Sequence, residues 1–274
     1  MTEARSLSVY GRILFKFFAS RDVEEIYKRI HNNILFDAYC RSLRELVDKP
    51  LVSFIVPTRN EANYIFRLLG SLNYLRRVCN VPIEIIVADY ESTDGTIDVS
   101  KRFGAEVIEL DKPGVGYASY IATMYAKGDI IIRTDADVII TPSSMYYVLN
   151  IMQKKDKLVA TVGHIYYPFK FETNVIAFIY DKYMRKPYNT TGYFIAFKKQ
   201  VTNYVNFSPH LRYNDDWDFG YRVYRLFGWK AMDYNYLVAV LVSSRLIDKQ
   251  GFTRYVIKQL IKAPTVTYTK LKEA

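Results

Sequence analysis

The sequence predicts an α/β fold, with a mostly parallel central sheet flanked by helices and a helical extension at each end. Three observations predict it. Apolar runs at 51–56, 83–88 and 130–133 are short and continuous, the texture of strands buried on both faces, and 105–110 adds another strand. Helix-like stretches at 63–75, 95–103 and 117–126 alternate with them, the order of a doubly wound sheet. The strands run out into polar residues: Thr58-Arg59-Asn60-Glu61, Asp89-Tyr90-Glu91-Ser92 and Asp135-Ala136-Asp137. One edge of the sheet therefore collects acids and small polar groups, and ligands of open α/β sheets bind outside the carboxyl ends of the strands.

In chain order, 7–18 is densely apolar and reads as a short helix. Ser20 can cap a second, with Asp22, Glu24 and Glu25 near its positive end and Val23, Ile26, Tyr27 and Ile30 on one face. That helical region runs to about Val47, and Asp48-Lys49-Pro50 ends it. The strand at 51–56 is stopped by Pro57, and the alternation above follows to Arg133. The second half is less regular. It reads as a helix at 143–152, a strand at 158–164, an aromatic helix at 175–184 and a strand at 194–198. A helix at 216–227 led by an acidic cluster and a last strand at 237–242 complete it. From 250 to 262 a basic amphipathic helix sets Arg254, Lys258 and Lys262 on one stripe and Phe252, Val256 and Leu260 on another. The organisation is an extension at 1–50, a main domain at 51–244 with halves at 51–140 and 141–244, and a tail at 245–274.

The 274 residues hold 38 basic and 28 acidic side chains, net +10. The tail alone has seven basic against two acidic residues. Such a surplus suits an anionic partner: a membrane surface, a phosphorylated substrate or nucleic acid. No RNA-type basic and aromatic sheet motif is present, which sets nucleic acid aside. Cys40 and Cys79 stand in no metal-ligand spacing and are expected as thiols in a reducing compartment. Arg12 and Lys16 interrupt the first apolar run, so no signal peptide is read, and no run of ~18 uncharged apolar residues predicts a spanning helix. The expected location is cytoplasmic, with a peripheral position on the membrane's cytoplasmic face left open.

Asp135 and Asp137 sit where a buried strand opens to solvent. Two carboxylates at that spacing can share one hard divalent cation and, through it, hold a phosphate ester; solvated loop acids are the plainer reading. Four motifs in order sharpen the choice. Val56-Pro57-Thr58-Arg59-Asn60-Glu61, Asp89-Tyr90-Glu91-Ser92-Thr93-Asp94-Gly95-Thr96, Gly128-Asp129 through Asp137, and Asn214-Asp215-Asp216-Trp217-Asp218-Phe219-Gly220-Tyr221-Arg222 together resemble the family 2 glycosyltransferases, which have the GT-A fold. The resemblance covers about residues 51–230.

It implies inverting sugar transfer from a nucleotide-activated donor, assisted by Mn2+ or Mg2+. The half at 51–140 would bind the nucleotide sugar and 141–244 the acceptor. Asp89 would hold the nucleobase, in a pocket lined by Pro57, Thr58 and Glu61. Asp135 would face the ribose or the metal, and Asp137 would bind the metal. Asp216 would be the base that takes the acceptor's proton, and like-charge repulsion from Asp215 and Asp218 would raise a carboxyl pKa to suit it. Trp217, Arg222 and the turn at Gly192 would support the acceptor side. Acceptors of the kind would be a glycan, a protein or a polyprenyl phosphate.

Plainer readings stand beside these. Asp94-Gly95-Thr96 reads as a turn and helix start. Asp218 with Arg222 can be a structural ion pair. Trp217 can be core or can stack on a sugar, and Gly192 can be a loop glycine. His164 and His210 read as structural. Three places depart from the family pattern: Ala118-Ser119-Tyr120 lacks an arginine, for which Arg133 or Lys112 could substitute; Tyr90 replaces a second acid; and Ser243-Ser244-Arg245 stands where a metal histidine is usual. The alternatives are a nucleotidyltransferase, against which the loop after the first strand lacks glycine and basic richness, and a non-catalytic sugar-nucleotide or polyanion-binding protein.

Overall fold

The computed structural model describes residues 25–251, apart from 27, 30 and 34. The expected helix at 7–18, the Ser20 cap and the amphipathic stripes beyond 251 lie outside the described residues. Within them, α1 (Phe36–Glu45) leads into β1 (Val52–Thr58), α2 (Ala62–Arg77), β2 (Ile83–Asp89), α3 (Thr96–Arg102), β3 (Glu106–Glu109), α4 (Val115–Tyr125) and β4 (Ile130–Arg133). Then follow β5 (Val138–Ile139), α5 (Pro142–Ile151), β6 (Val159–Tyr167), α6 (Phe171–Ile179), β7 (Ile195–Lys198), α7 (Asp215–Phe227), β8 (Met232–Ser243) and α8 (Arg245–Gln250). The strands form one sheet in the order β3-β2-β1-β4-β7-β6-β8-β5. Pairing is parallel from β3 through β4 and between β6 and β8, and antiparallel where β7 joins β4 and β6 and where β5 joins β8.

The continuous apolar strands are continuous because both sheet faces are covered. Phe54, Val56, Ile85, Val87, Ile130 and Ile132 point into a core shared with Leu43 of α1, Leu68, Leu69 and Leu72 of α2, and Met145 and Val148 of α5. Ile55, Ile86 and Ile131 point the other way, onto Ala118 and Ala122 of α4 and Phe219 and Val223 of α7. Each fully buried leucine of α2 contributes roughly 1.5–3 kcal/mol by leaving water.

Several expectations are corrected. Pro57 does not stop β1: the strand passes through it to Thr58, in register with Ala88. The ladder to β4 covers only Val52–Ile55, so the missing N–H of Pro57 falls beyond it. The aromatic helix divides into α6 and a π-helical turn at Tyr180–Met184. The last strand begins five residues earlier than the apolar run, because Met232–Asn235 pair with Val159–Val162 before a bulge at Val162/Gly163. The two-residue β5 has too little sequence to carry a period. Cys40 and Cys79 are not thiols but a disulfide between α1 and the chain just beyond α2, their Cα atoms 4.8 Å apart; a separation of 39 residues gives a sequence reader no sign of that contact.

Candidate active site

Parallel pairing sets Thr58 beside Asp89 at the carboxyl ends of β1 and β2. Asp89 is fully buried and accepts hydrogen bonds from Thr58 Oγ1 (2.7 Å), Ser92 Oγ (2.6 Å) and Ser92 N (3.0 Å). Its Oδ1 takes only the last of these, and a carboxylate oxygen has room for two. Half-buried Pro57 precedes Thr58 on the same strand end. Asn60 closes the loop, donating its N–H to Ser92 Oγ (2.7 Å) and accepting from Thr93 N (2.9 Å). Asp94 accepts from Thr96 N (3.1 Å) at the start of α3, which matches its reading as a turn and helix start, and from Ala62 N (3.0 Å), which also ties that turn to α2.

Both members of the acid pair have arginine partners. Arg133 Nη1 donates to Asp135 Oδ1 at 2.6 Å and also to the carbonyl of Gly192, while its Nη2 lies 3.8 Å from Asp215. Arg133 is 2% exposed, so it is committed inside rather than offered to a phosphate. Lys112 lies 6.0 Å over the Tyr117 ring. Asp137 is met by Arg245, whose Nε stands 2.8 Å from Oδ2. The same guanidinium grips Glu61 at 2.7 and 2.8 Å, so Glu61 faces the acid pair. The antiparallel β5–β8 register, Val138 opposite Val242, brings the chain after β8 back to Asp137, and Ser243 N donates to the Asp137 carbonyl at 3.1 Å. Burial raises the Asp137 carboxyl, Arg245 opposes, and Asp135 and Glu61 add, leaving it at about 6.

The third acidic group opens α7 behind Asn214, a residue at φ 58°. Asp215 is buried, 2.9 Å from Ser119 Oγ. Asp218 accepts from Ser208 Oγ (2.6 Å) and Arg222 Nε (2.9 Å), and Arg222 also reaches the Asn206 carbonyl, which favours the structural ion-pair reading. Trp217 stacks on Tyr221 at 5.1 Å and donates to Asn189 Oδ1 at 3.2 Å. Asp216 turns toward the Gly192 turn. Its Oδ2 accepts from Gly192 N at 2.6 Å and its Oδ1 from Trp217 N at 2.8 Å. Burial and the neighbouring Asp215 charge push its carboxyl up to about 6 against the opposing pull of Arg133. A Cβ on Gly192 would collide with the Arg133 guanidinium and come within 3.1 Å of Asp135 Oδ1. Only glycine lets that backbone bridge Arg133 and Asp216.

Behind the Gly192 turn lies a buried charge network. Asp181, on the π-helical turn, accepts from Arg29 Nη2 (2.5 Å) and His164 N (2.9 Å) and lies 3.7 Å from Arg185 Nη1. Arg185 donates to Tyr193 Oη (2.5 Å) and the Val162 carbonyl (2.7 Å), and His164 Nδ1 is 3.1 Å from Tyr193 Oη. His164 is structural, as expected. Thr134 Oγ1 donates to the Tyr193 carbonyl at 2.8 Å, which locks this network to the strand carrying the acid pair.

The predicted residues thus fall into two clusters along one edge. Pro57, Thr58 and Asp89 form one, and Glu61, Asp135, Asp137, Gly192, Asp215 and Asp216 converge through Arg133 and Arg245 into the other. Trp217, Asp218 and Arg222 buttress α7. Sequence reasoning missed Arg245 as the shared partner of Glu61 and Asp137, although its odd position after the last strand was visible. It also missed Arg29, Asp181 and Arg185, whose spacing carries no signal.

The fold is that of the GT-A class of glycosyltransferases. The chain belongs to the family described as Glycosyl transferase family 2, whose family model matches residues 53–227. A 4,4'-diaponeurosporenoate glycosyltransferase from Staphylococcus haemolyticus is 34% identical over 94 residues, 32% of this chain and 24% of that protein. The low-salt glycan biosynthesis hexosyltransferase Agl6 of Haloferax volcanii is 33% identical over 107 residues, 39% of this chain and 26% of that protein. The matched stretch therefore spans about a quarter of the length of these curated relatives. Among solved structures, mannosyl-3-phosphoglycerate synthase from Rubrobacter xylanophilus superposes with a TM-score of 0.59 at 19% identity, over 86% of this chain and 79% of that one. Glucosyl-3-phosphoglycerate synthase from Mycobacterium tuberculosis, solved with Mn2+, UDP-glucose and phosphoglyceric acid, does so at 0.57 and 20% identity, over 82% and 83%.

Proposed function

We propose that this glycosyltransferase moves a sugar from a nucleoside-diphosphate donor to an acceptor hydroxyl or lipid phosphate with inversion, assisted by a divalent cation, Mn2+ or Mg2+. The observation that carries the reading is Asp216. A half-buried carboxylate, oriented by the Gly192 and Trp217 amides, sits one guanidinium away from the acid pair. With a hydroxyl acceptor, Asp216 takes the proton as the oxygen attacks; an ionised lipid phosphate would attack without it, and in both cases attack opposite the departing nucleoside diphosphate inverts the sugar carbon. Asp89 receives the nucleobase on the spare capacity of Oδ1, beside Thr58 and Pro57.

The chemistry of the donor set fits a hard cation. Asp135 and Asp137 offer carboxylate oxygens, and Glu61, Asp215 and Asp216 add to their charge, while among the described residues Arg133 and Arg245 are the guanidiniums that contact four of these five, Asp135, Asp215, Glu61 and Asp137. That surplus of negative charge repels a diphosphate until a cation offsets it. Among the described residues no third His, Cys, Asp or Glu joins the pair to make a closed metal site, so Asp135 and Asp137 would hold the cation together with ligands from outside the protein. Bound there, the cation would neutralise the charge that develops on the leaving diphosphate.

A panel of nucleotide sugars, each with Mn2+ or Mg2+, tests this by thermal shift. The true donor at about one hundred times its Kd stabilises the fold by about 2.7 kcal/mol and raises the melting temperature. Flat responses across the panel would overturn the donor assignment.

The acceptor is a glycan, a protein or a polyprenyl phosphate, and the basic surplus of 245–274 favours one at an anionic membrane surface on the cytoplasmic side. No helix among the described residues is long and apolar enough to cross a membrane. The chain should float with vesicles rich in anionic lipid, and removal of 252–274 should weaken that binding. Equal flotation of both chains would sink the role of the tail.

A further inference from the structure

Arg245 is held in an unusual position for a surface arginine. Its Nε meets Asp137, its two terminal nitrogens meet the two Glu61 oxygens, and its plane lies 4.3 Å over the Tyr64 ring. These bonds use three of its five N–H groups, and its side chain keeps 31% exposure. Arg133, the other guanidinium of the cluster, is 3% exposed at its side chain and fixed by Asp135, Gly192 and Asp215. The movable positive charge of the acid cluster is therefore Arg245. It occupies one oxygen of the carboxylate that the cation reading assigns to the metal. A cation on Asp137 would weaken the hold of Arg245 on that carboxylate, because the two positive charges repel and share one counter-charge.

We propose that Arg245 is an exchangeable counter-ion and a ligand of the donor diphosphate. Without donor it neutralises Asp137 and Glu61. When donor and cation arrive together, it yields Asp137 and turns its free N–H groups to the diphosphate. Guanidinium geometry suits that second role, since its planar fork matches phosphate oxygens. The device makes cation and donor binding mutually dependent, so a bare cation is a poor competitor for the site. This inference rests on the donor and cation reading above.

Two binding measurements on the intact chain test it, with inorganic pyrophosphate standing for the donor diphosphate. Electron paramagnetic resonance of free Mn2+ gives cation affinity without pyrophosphate, and calorimetry gives pyrophosphate affinity in the presence of Mn2+. In Arg245→Gln the cation should bind about tenfold more tightly and pyrophosphate about tenfold more weakly, the worth of one charge-assisted contact in each state. Opposite signs are the signature, because damage to the fold would weaken both. Arg245→Lys keeps the charge without the planar fork, so cation affinity should stay near the wild-type value while pyrophosphate binding remains weakened. If the wild-type chain binds Mn2+ and pyrophosphate together and Arg245→Gln changes neither affinity, or weakens both while melting normally, the counter-ion role is wrong and the donor reading stands. If the wild-type chain binds no pyrophosphate with or without Mn2+, the donor reading itself fails and takes this inference with it.

Discussion

Asp216→Asn is expected to lower turnover by about 10²–10⁴-fold, the usual worth of a positioned general base. The amide keeps an oxygen for the Gly192 N–H, which holds the turn in place, while the Trp217 N–H in the first turn of α7 loses its side-chain acceptor. Donor binding should remain within about twofold of wild type, because catalytic loss without binding loss marks an interaction made in the transition state. The pH profile adds a second check. Burial and Asp215 push the carboxyl up to about 6, and a base works only when ionised. The rate of the wild-type chain should therefore climb with pH through about 6 and level off above it, and the variant should lose that limb. Steady-state rates across pH with the donor found by thermal shift make the comparison. Undiminished activity in Asp216→Asn removes this residue as the base.

Asp181→Ala is expected to cost about 3–5 kcal/mol of folding stability, the range for removing one partner of a buried ion pair. The side chain of Asp181 is fully buried, those of Arg29 and Arg185 are 3% and 0% exposed, and the substitution leaves these guanidiniums without their carboxylate. Nη1 of Arg29 and Nη2 of Arg185 already make no hydrogen bond, so no spare partner among the described residues can absorb the loss. Calorimetric melting should show a drop on the order of 10 °C. The sign with pH follows from the site. Burial would raise the Asp181 carboxyl, but His164, Arg29 and Arg185 outweigh it and hold the carboxyl well below its ordinary range. Its stabilisation is complete above the unfolded value of about 4 and fades as pH falls toward the folded value. The gap between wild type and Asp181→Ala should narrow in acid. A gap that stays constant down to strongly acidic pH would show that packing, not charge, is what Asp181 contributes.

These two residues show what the chain alone can and cannot reveal. Asp216 was legible because it belongs to a short local pattern, an acidic cluster at the start of an amphipathic helix. Thr58, Asp89, Asp135 and Asp137 were legible for a related reason: each lies at the polar end of an apolar strand, and a parallel sheet aligns all such ends on one edge. Periodicity and strand-end chemistry are properties of neighbouring residues, so the sequence by itself determined the alternating fold, the edge and most of the acids on it. Arg245, Asp181, Arg29 and the Cys40–Cys79 bond belong to the other kind. Arg245 lies 108 residues from Asp137 and 184 from Glu61, and it reaches both because β8 turns back along β5. Arg29 and Asp181 are 152 apart. Their partners are set by which strands pair and which helices pack, and no local pattern encodes that. Tertiary structure alone decided that both acids of the pair meet arginines, that one of those arginines is buried and the other half-open, and that charge at the site is shared between elements from opposite ends of the chain.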